Sequence, residues 1–213
     1  GAFAGRSRGN DFRPYRLTPS HDWAVEQSAV FVETGMWLRA RWFPQPGETH
    51  WRQHVDREVL QTRKSVGVCD VTTLGKIDIQ GRDAPAFLNS VYANAFGKLA
   101  VGKVRYGLML REDGIAMDDG TTARLSEKRF VMTTTTANAV SVFRHLEFCR
   151  QCLWPGMDVH VISATEQFAQ YSVAGPNSRR LLGRLVDPEF DISNEAFPFM
   201  ACAEITVCGG TPA

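Results

Sequence analysis

The sequence predicts an α+β fold in which helices pack against mostly antiparallel sheets. Side chains alternate in character along residues 104–110, as expected of a strand, and the turn signal Glu112–Asp113–Gly114 follows directly. Apolar residues recur at helical spacing along residues 84–92, which makes this the clearest helix in the chain. Because hairpin signals outnumber crossovers, strands that are neighbours in sequence should pair antiparallel.

The other elements follow from the same two periodicities. Helices are expected over residues 50–64 and 137–149, each with one apolar stripe facing inward. The expected inward residues are Trp51, Val55, Val59 and Leu60 in the first helix, and Val140, Phe143, Leu146 and Phe148 in the second. Further strands are expected at residues 75–80, 121–125, 129–135, 159–163, 168–173 and 204–207, with a short helix after Asn177. Asp83 is expected to cap the helix over residues 84–92.

Composition limits the classes of function. The chain has 213 residues, a formal net charge of +1 and 44% hydrophobic residues. A near-neutral chain has no strong field for nucleic acid, and its apolar runs are too short to span a bilayer. We therefore expect a cytoplasmic protein that binds neither nucleic acid nor a membrane. Residues 1–48 show no sustained period and are expected to form an irregular connector, ahead of a domain over residues 49–213.

Neither a metal site nor a nucleotide site is predicted. Cys149 and Cys152 form a C-x-x-C, but no second pair accompanies it, so two thiols near a helix end are favoured over a zinc or redox pair. His50 and His54 have metal-compatible spacing without a third ligand. The glycine-rich dinucleotide fingerprint and the phosphate-binding loop are both missing from the sequence.

Two adjacent carboxylates, Asp118 and Asp119, lie in the predicted hairpin. Successive side chains of an extended chain point to opposite faces, so one carboxylate should face inward and the other should face water. An inward carboxylate is costly to bury without a partner, which makes it a candidate for chemistry. The alternative from the residues alone is a turn capped by one of the two Asp side chains.

Several motifs occur in an order that resembles the folate-dependent aminomethyltransferases, the glycine-cleavage T-protein and its relatives. The matching segments are residues 67–77, 81–84, 87–88, 94, 106, 109–110, 114, 118–119, 174–178 and 181–182. Residues 12–23, 108–114, 132–136 and 193–200 resemble one branch more closely, the C-terminal half of the alpha subunit of heterotetrameric sarcosine oxidase. The resemblance implies a truncated T-protein-like fold, with the distal portion of the folate-binding domain missing after Ala213. Residue 1 is Gly, and no partner strand is evident after residues 204–207, so we expect a piece of a longer protein.

The resemblance also implies a site. Asp119 matches the family's essential carboxylate and is expected to be catalytic and to contact the cofactor, tetrahydrofolate. Tyr106 and Leu74 match residues that line the folate pocket. Thr134, which with Thr135 replaces an Asn-Ser pair on the central strand, is also expected to contact the cofactor. Flavin and NAD are expected elsewhere in the complex, and the partners are expected to be an imine or formaldehyde and the other sarcosine oxidase subunits.

Three functions are consistent with this resemblance. The first captures the methylene unit of sarcosine oxidation on tetrahydrofolate to give 5,10-methylenetetrahydrofolate. The second is a non-catalytic module that binds folate or docks other subunits of the oxidase. The third is an aminomethyltransferase of the glycine-cleavage type. Residues 12–23 resemble a connector from an upstream domain, which favours the first function over the third.

Overall fold

A computed structural model describes residues 16–213, so the connector motif at residues 12–23 lies partly outside the described residues. The strands are β1 (Arg16–Leu17), β2 (Val30–Thr34), β3 (Trp37–Trp42), β4 (Gly67–Asp70), β5 (Gly75–Gln80), β6 (Lys103–Leu110), β7 (Ala116–Ser126), β8 (Arg129–Thr134), β9 (His160–Ser163), β10 (Tyr171–Ala174), β11 (Thr206–Val207) and β12 (Thr211–Pro212). The α-helices are α1 (His21–Glu26), α2 (Trp51–Lys64), α3 (Ala84–Val91), α4 (Ala139–Phe148) and α5 (Ser178–Leu182). A 3₁₀ turn covers Phe96–Lys98, and a π-helical turn, Cys149–Leu153, extends α4.

The chain divides into two compact units that each contain sheet and helix. The first comprises the described part of Gly1–Thr73 together with Ala169–Pro176, and the second comprises Leu74–Phe168 with Asn177–Ala213. The predicted α+β class with antiparallel sheets is confirmed. The predicted boundary between residues 48 and 49 stays a prediction.

A five-stranded antiparallel sheet in the order β6-β7-β8-β5-β9 forms the centre of the second unit. Its core face carries Ile77, Ile79, Phe130 and Met132, which are almost fully buried. Helix α3 packs there as predicted, with all five of its expected residues buried: Ala84, Phe87, Leu88, Val91 and Tyr92. The sheet therefore has a closed core face and a second face, which we call the outer face.

Strands β7 and β8 diverge at the end that carries the two Asp residues. Their backbone pairing continues only as far as Thr122 and Met132, whereas β7 remains paired with β6 back to Ala116. Beyond that point the Thr133 hydroxyl accepts from the Thr121 N–H at 3.0 Å and lies 3.2 Å from the Thr121 carbonyl oxygen, to which it can donate. The β6–β7 hairpin thus extends past the rest of the sheet.

The first unit corrects the expectation of an irregular connector. Strands β1, β3 and β2 form a small sheet, in which β2 and β3 are antiparallel and β1 pairs with β3 in parallel. The sequence hides this sheet because Arg and Trp side chains are interleaved along β3, so no simple apolar alternation results. A second pair of strands, β4 with β10, completes this unit.

Helix α2 forms as predicted, but its apolar stripe does not face a core. Trp51, Val59 and Leu60 are exposed, and His54 is the buried residue of this helix. The side chain of Glu48 accepts hydrogen bonds from Arg57, at 2.7 Å, and bonds to His54. These contacts lower the pKa of Glu48 to about 2, with Arg57 contributing most and His54 next. An ionic cluster therefore occupies the inner side of α2.

Three further expectations are corrected. Val140 and Phe148 are exposed, whereas Leu146 is buried and Phe143 packs against the core as expected; α4 also buries Val142, which the predicted stripe did not include. Asp83 makes no capping bond to α3, because its carboxylate binds Arg82 and the backbone N–H of Asp158. The strand at the C-terminal end has a partner after all, since β11 pairs antiparallel with β12. None of the helices within residues 16–213 combines the length and apolarity needed to cross a bilayer.

Candidate functional site

Asp118 is the inward member of the carboxylate pair and is held by a complete set of donors. Its side chain is 7% exposed. One oxygen accepts from the Thr135 hydroxyl at 2.6 Å and from Asn138 at 3.3 Å, and the other accepts from the Thr135 N–H at 3.1 Å. These bonds tie β7 to the end of β8 and to the start of α4, where the two strands have already separated. The inward carboxylate, expected from alternation to be the candidate for chemistry, is therefore structural.

Asp119 lies on the outer face, as strand alternation requires of the next residue. It is half-buried and stands directly opposite Leu108 of β6. Within residues 16–213, no donor is recorded for its carboxylate and no cation pairs with it. The Asp119 oxygens are thus still able to accept hydrogen bonds, whereas those of the neighbouring Asp118 already accept them from the protein.

Tyr106 shares the outer face with Asp119. It is 54% exposed and stands opposite Thr121, two pairs along the hairpin from Leu108 and Asp119, which makes it part of the next pair on that face. Diagonal neighbours of this kind in an antiparallel pair lie roughly 7–8 Å apart, within reach of an aromatic side chain. The structure therefore brings together the two predicted site residues Asp119 and Tyr106.

A pair of glycines separates this site from the core. Gly107 and Gly120 stand opposite each other between the rows of Tyr106 and Asp119. A Cβ on Gly107 would lie 2.9 Å from the rings of both Tyr92 and Phe96, and one on Gly120 would lie 2.0 Å from the Thr133 carbonyl oxygen. Because neither glycine has a side chain, only the backbone of the hairpin lies here between the outer face and the core, and the rings of Tyr92 and Phe96 pack directly against it at Gly107.

Tyr92 is the titratable group beneath the glycine pair. Burial raises the pKa of its phenol well above the usual range, and the charges of Asp118 and Asp119 raise it further. The hydroxyl makes a weak contact with the Met132 sulfur at 4.0 Å. Tyr92 therefore stays neutral beneath the site at any physiological pH.

The other two predicted site residues lie at the ends of β5 and β8. Leu74 is half-buried and immediately precedes Gly75, which pairs in register with Thr134. Thr134 is 2% exposed, shares the core face with Met132, and donates its hydroxyl to the Thr135 carbonyl at 3.0 Å. The structure thus places Thr134 on the face opposite Asp119 and Tyr106. Its assignment to the cofactor site stays a prediction without support from this placement.

Sequence reasoning missed Thr133, although its neighbours Thr134 and Thr135 were considered. Thr133 is the outer-face residue of this run, and its hydroxyl also lies 3.0 Å from that of Thr121. The period of two along β8 could have found it, because Met132 and Thr134 share the opposite face. Asn94 was noted only as part of a motif, yet its side chain accepts from the Leu108 N–H at 2.9 Å and so fixes the outer edge of β6.

A carboxylate in this setting can perform two tasks. It can accept a proton from a group that becomes acidic during reaction, or it can balance a positive charge that develops beside it. A groove of about 490 Å³ elsewhere in the second unit is lined by residues 179, 183 and 186–193, none of which belongs to the predicted site. Among residues 16–213, no three His, Cys, Asp or Glu side chains are arranged to hold a metal ion.

Comparisons with known proteins bear on the identity of the chain. The GCVT N-terminal domain family matches residues 20–213. The chain is 58% identical over 99% of its length to the sarcosine oxidase subunit alpha of Rhizobium meliloti, and 48% identical over its whole length to that of Corynebacterium sp. strain P-1. It covers 21% and 22% of those two proteins, about a fifth of their length.

More distant matches are named as aminomethyltransferases. An aminomethyltransferase of Thermus thermophilus is 36% identical over 66% of this chain and 40% of its own. The crystal structure of the glycine cleavage system aminomethyltransferase T from Bartonella henselae superposes with a TM-score of 0.69 at 24% identity, over 79% of this chain and 43% of that one. With the family match covering nearly all of the described residues, the chain belongs to the GCVT N-terminal domain family, and it is similar in sequence to part of the sarcosine oxidase alpha subunit and in fold to an aminomethyltransferase.

Proposed function

We propose that this chain contributes the one-carbon transfer step to an amine-oxidising enzyme of the sarcosine oxidase type. In this proposal the methylene unit released from an N-methyl amine such as sarcosine is captured on tetrahydrofolate, giving 5,10-methylenetetrahydrofolate. The names of the relatives that match 99–100% of the chain support the enzyme class. The single observation that carries the proposal is the unpartnered carboxylate of Asp119 beside the exposed ring of Tyr106.

The residues present fit a folate as ligand. The outer face of the β6–β7 hairpin offers an aromatic ring for stacking and an acceptor with free capacity, and both suit a polar heterocycle that bears N–H groups. Tetrahydrofolate, when bound, supplies a weakly basic nitrogen as the acceptor of the one-carbon unit. Tyr106 and Asp119 are the residues that would hold it on this chain.

Asp119 has two roles in the proposed step. As a general base, it accepts the proton that the attacking nitrogen must lose. As a fixed negative charge, it favours a cationic one-carbon donor such as an iminium. Asp118 has neither role, because its oxygens already accept three hydrogen bonds from the protein. It orients β7, and with it Asp119.

The test compares Asp119→Asn with Glu112→Gln in the natural polypeptide that carries this sequence. Glu112 is an exposed carboxylate in the turn of the same hairpin and serves as the matched control. Loss of a general base lowers rates by roughly 10²–10⁴-fold, so Asp119→Asn should transfer methylene at least about 100-fold more slowly while still binding tetrahydrofolate. Transfer at close to the wild-type rate, with folate bound, would instead assign the domain to binding alone.

A docking role is the second candidate, and a specific observation supports it. The first unit exposes Trp23 and Trp51, and the Arg41 guanidinium lies 4.6 Å from the centre of the Trp42 ring. Aromatic residues and Arg are enriched where proteins bind one another. Alanine substitution of Trp23 and Trp51 should then weaken association with the other subunits of the complex without changing folate binding. Retained association would remove this candidate.

The glycine-cleavage type of aminomethyltransferase is the third candidate, supported by the aminomethyltransferases among the relatives. It differs in the donor, an aminomethyl group carried on a lipoyl protein. Single-turnover assays with that donor and with sarcosine separate the two reactions, because the proposed function requires turnover with the N-methyl amine.

A further inference from the structure

The outer edge of β6 is covered at two places by other parts of the second unit. Near its start, the Val104 N–H donates to the Met200 carbonyl at 2.9 Å. Near its end, the Leu108 N–H donates to the Asn94 side chain at 2.9 Å, and the Leu108 carbonyl accepts from the backbone at 3.0 Å. Each of these residues therefore directs its backbone groups away from β7.

Tyr106 lies midway between these two positions and has the same orientation. In an antiparallel strand the N–H and C=O of a residue point to the same side, and the side alternates from one residue to the next. Tyr106 must thus present both groups to the outer edge, as Val104 and Leu108 do. Within residues 16–213 no group bonds to them, and the residue is 54% exposed. The edge of β6 has a gap one residue long.

The length of the gap limits what can bind there. An added strand needs a longer row of free backbone groups, and here the Val104 N–H and both backbone groups of Leu108 already have partners. A small molecule that presents one donor beside one acceptor matches the gap, because it satisfies both Tyr106 groups at once. Asp119 is the diagonal neighbour of Tyr106, so a single ligand can reach both residues.

We propose that the backbone N–H and C=O of Tyr106 form a ligand-binding edge that pairs with an N–H donor and an oxygen acceptor lying side by side on the folate. This inference rests on the proposed function and adds a binding contact to it. Two parts of tetrahydrofolate have the required chemistry. One is the lactam of the pterin ring, and the other is the N–H and α-carboxylate of the glutamyl residue.

The first experiment measures dissociation constants by titration calorimetry for two fragments, 6,7-dimethyltetrahydropterin and p-aminobenzoylglutamate. Tyr106→Ala removes the ring, whereas Tyr106→Pro removes the ring and the backbone N–H. Proline is tolerated at an edge position whose N–H faces outward. The protein is the natural polypeptide that carries this sequence, and a thermal melt of each variant shows whether it is folded.

One fragment should bind Tyr106→Pro about five- to tenfold more weakly than Tyr106→Ala, the effect of losing a single hydrogen bond. That fragment identifies which part of folate uses the edge. Equal affinities of both variants for both fragments would overturn the inference and leave the proposed function intact. Failure of the wild-type protein to bind either fragment or tetrahydrofolate would overturn the proposed function as well.

A second measurement needs no substitution and so avoids any misfolding of the proline variant. Amide hydrogen exchange at residue resolution should show fast exchange at Tyr106 and slow exchange at Val104, whose N–H is already bonded. Saturating tetrahydrofolate should slow Tyr106 at least about tenfold and leave Val104 unchanged. Unaltered exchange at Tyr106 in the folate-saturated protein would contradict the proposed edge.

Discussion

Thr133 links β8 to Thr121 of β7 through its side chain at the place where the backbone ladder between the two strands has ended. Its hydroxyl is 3.0 Å from the Thr121 nitrogen and 3.2 Å from the Thr121 carbonyl oxygen. The Thr133 side chain therefore takes the place of a direct backbone hydrogen bond between the two strands. Just beyond this link, the Asp118 carboxylate of β7 accepts from the Thr135 N–H at 3.1 Å.

Thr133→Val should destabilise the protein by about 1–3 kcal/mol, because the isosteric change leaves the Thr121 N–H without an acceptor. Thr121→Val is the matched control: it removes a hydroxyl from the same cluster but keeps both bonds of Thr133 to the Thr121 backbone. Urea unfolding followed by circular dichroism measures the difference. Equal losses of unfolding free energy in the two variants would show that the bonds from Thr133 to the Thr121 backbone contribute no more than the Thr121 hydroxyl does.

The two neighbouring carboxylates should differ in their effect on stability. Asp118→Asn turns one accepting oxygen into a donor that faces existing donors, and should cost about 1–3 kcal/mol of unfolding free energy. Asp119→Asn removes no recorded hydrogen bond and should change stability by less than about 0.5 kcal/mol. Denaturant midpoints of the two variants give the comparison. A larger loss of unfolding free energy for Asp119→Asn than for Asp118→Asn would mean that Asp119, and not Asp118, is the structural carboxylate.

Gly120→Ala should disrupt the hairpin. The new Cβ would lie 2.0 Å from the Thr133 carbonyl oxygen, a backbone atom that cannot turn aside. Overpacking of this kind costs roughly 1–3 kcal/mol, and a clash with backbone belongs at the upper end. Gly156→Ala is the control, since no atom lies within 4 Å of its added Cβ. A melting temperature close to that of the control would count against the tight strand contact.

Acid should destabilise the first unit through Glu48. The folded-state pKa of this carboxyl, about 2, lies below its ordinary value of 4.5, so the unfolded chain takes up its proton first as pH falls. The stabilisation from Glu48 is therefore complete above about pH 4.5 and is lost progressively towards pH 2.

Glu48→Gln removes that dependence, and its stability should fall less steeply with acid than that of the wild type. The exposed residue Glu195 provides the control variant, Glu195→Gln, which should follow the wild-type curve. Melting temperatures between pH 2 and pH 6 measure the slopes. Parallel curves for Glu48→Gln and wild type would mean that the ionic cluster persists in the unfolded chain or contributes nothing.

Local patterns predicted those parts of the fold in which one periodicity decides burial. Helix α3 buries all five of its periodic apolar residues, because it covers the centre of a sheet. The apolar stripe of α2 did not predict which side of this helix is buried. The buried side is set by the contacts of Glu48 with Arg57 and His54, and residue types alone do not predict that these three side chains meet. The exposed Val140 and Phe148 of α4 likewise depend on where the sheet lies, which the helix alone does not encode.

For the candidate site, strand alternation correctly predicted that Asp118 and Asp119 face opposite ways. It could not say which of them is structural, because the donors to Asp118 come from Thr135 and Asn138, which lie in later elements. The resemblance to a family supplied that choice. The gap at Tyr106 was beyond sequence reasoning, since it depends on which distant segments happen to cover the edge of β6.

The pairing of β4 with β10 has a consequence for biosynthesis. All five strands of the large sheet leave the ribosome before β10 does, although β4 precedes every one of them. Domains fold as they are synthesised, so the later unit in the sequence can finish its sheet while the earlier one still waits for its last strand. A truncation after Ser163 should therefore leave the N-terminal unit incomplete, even though most of its own residues are present.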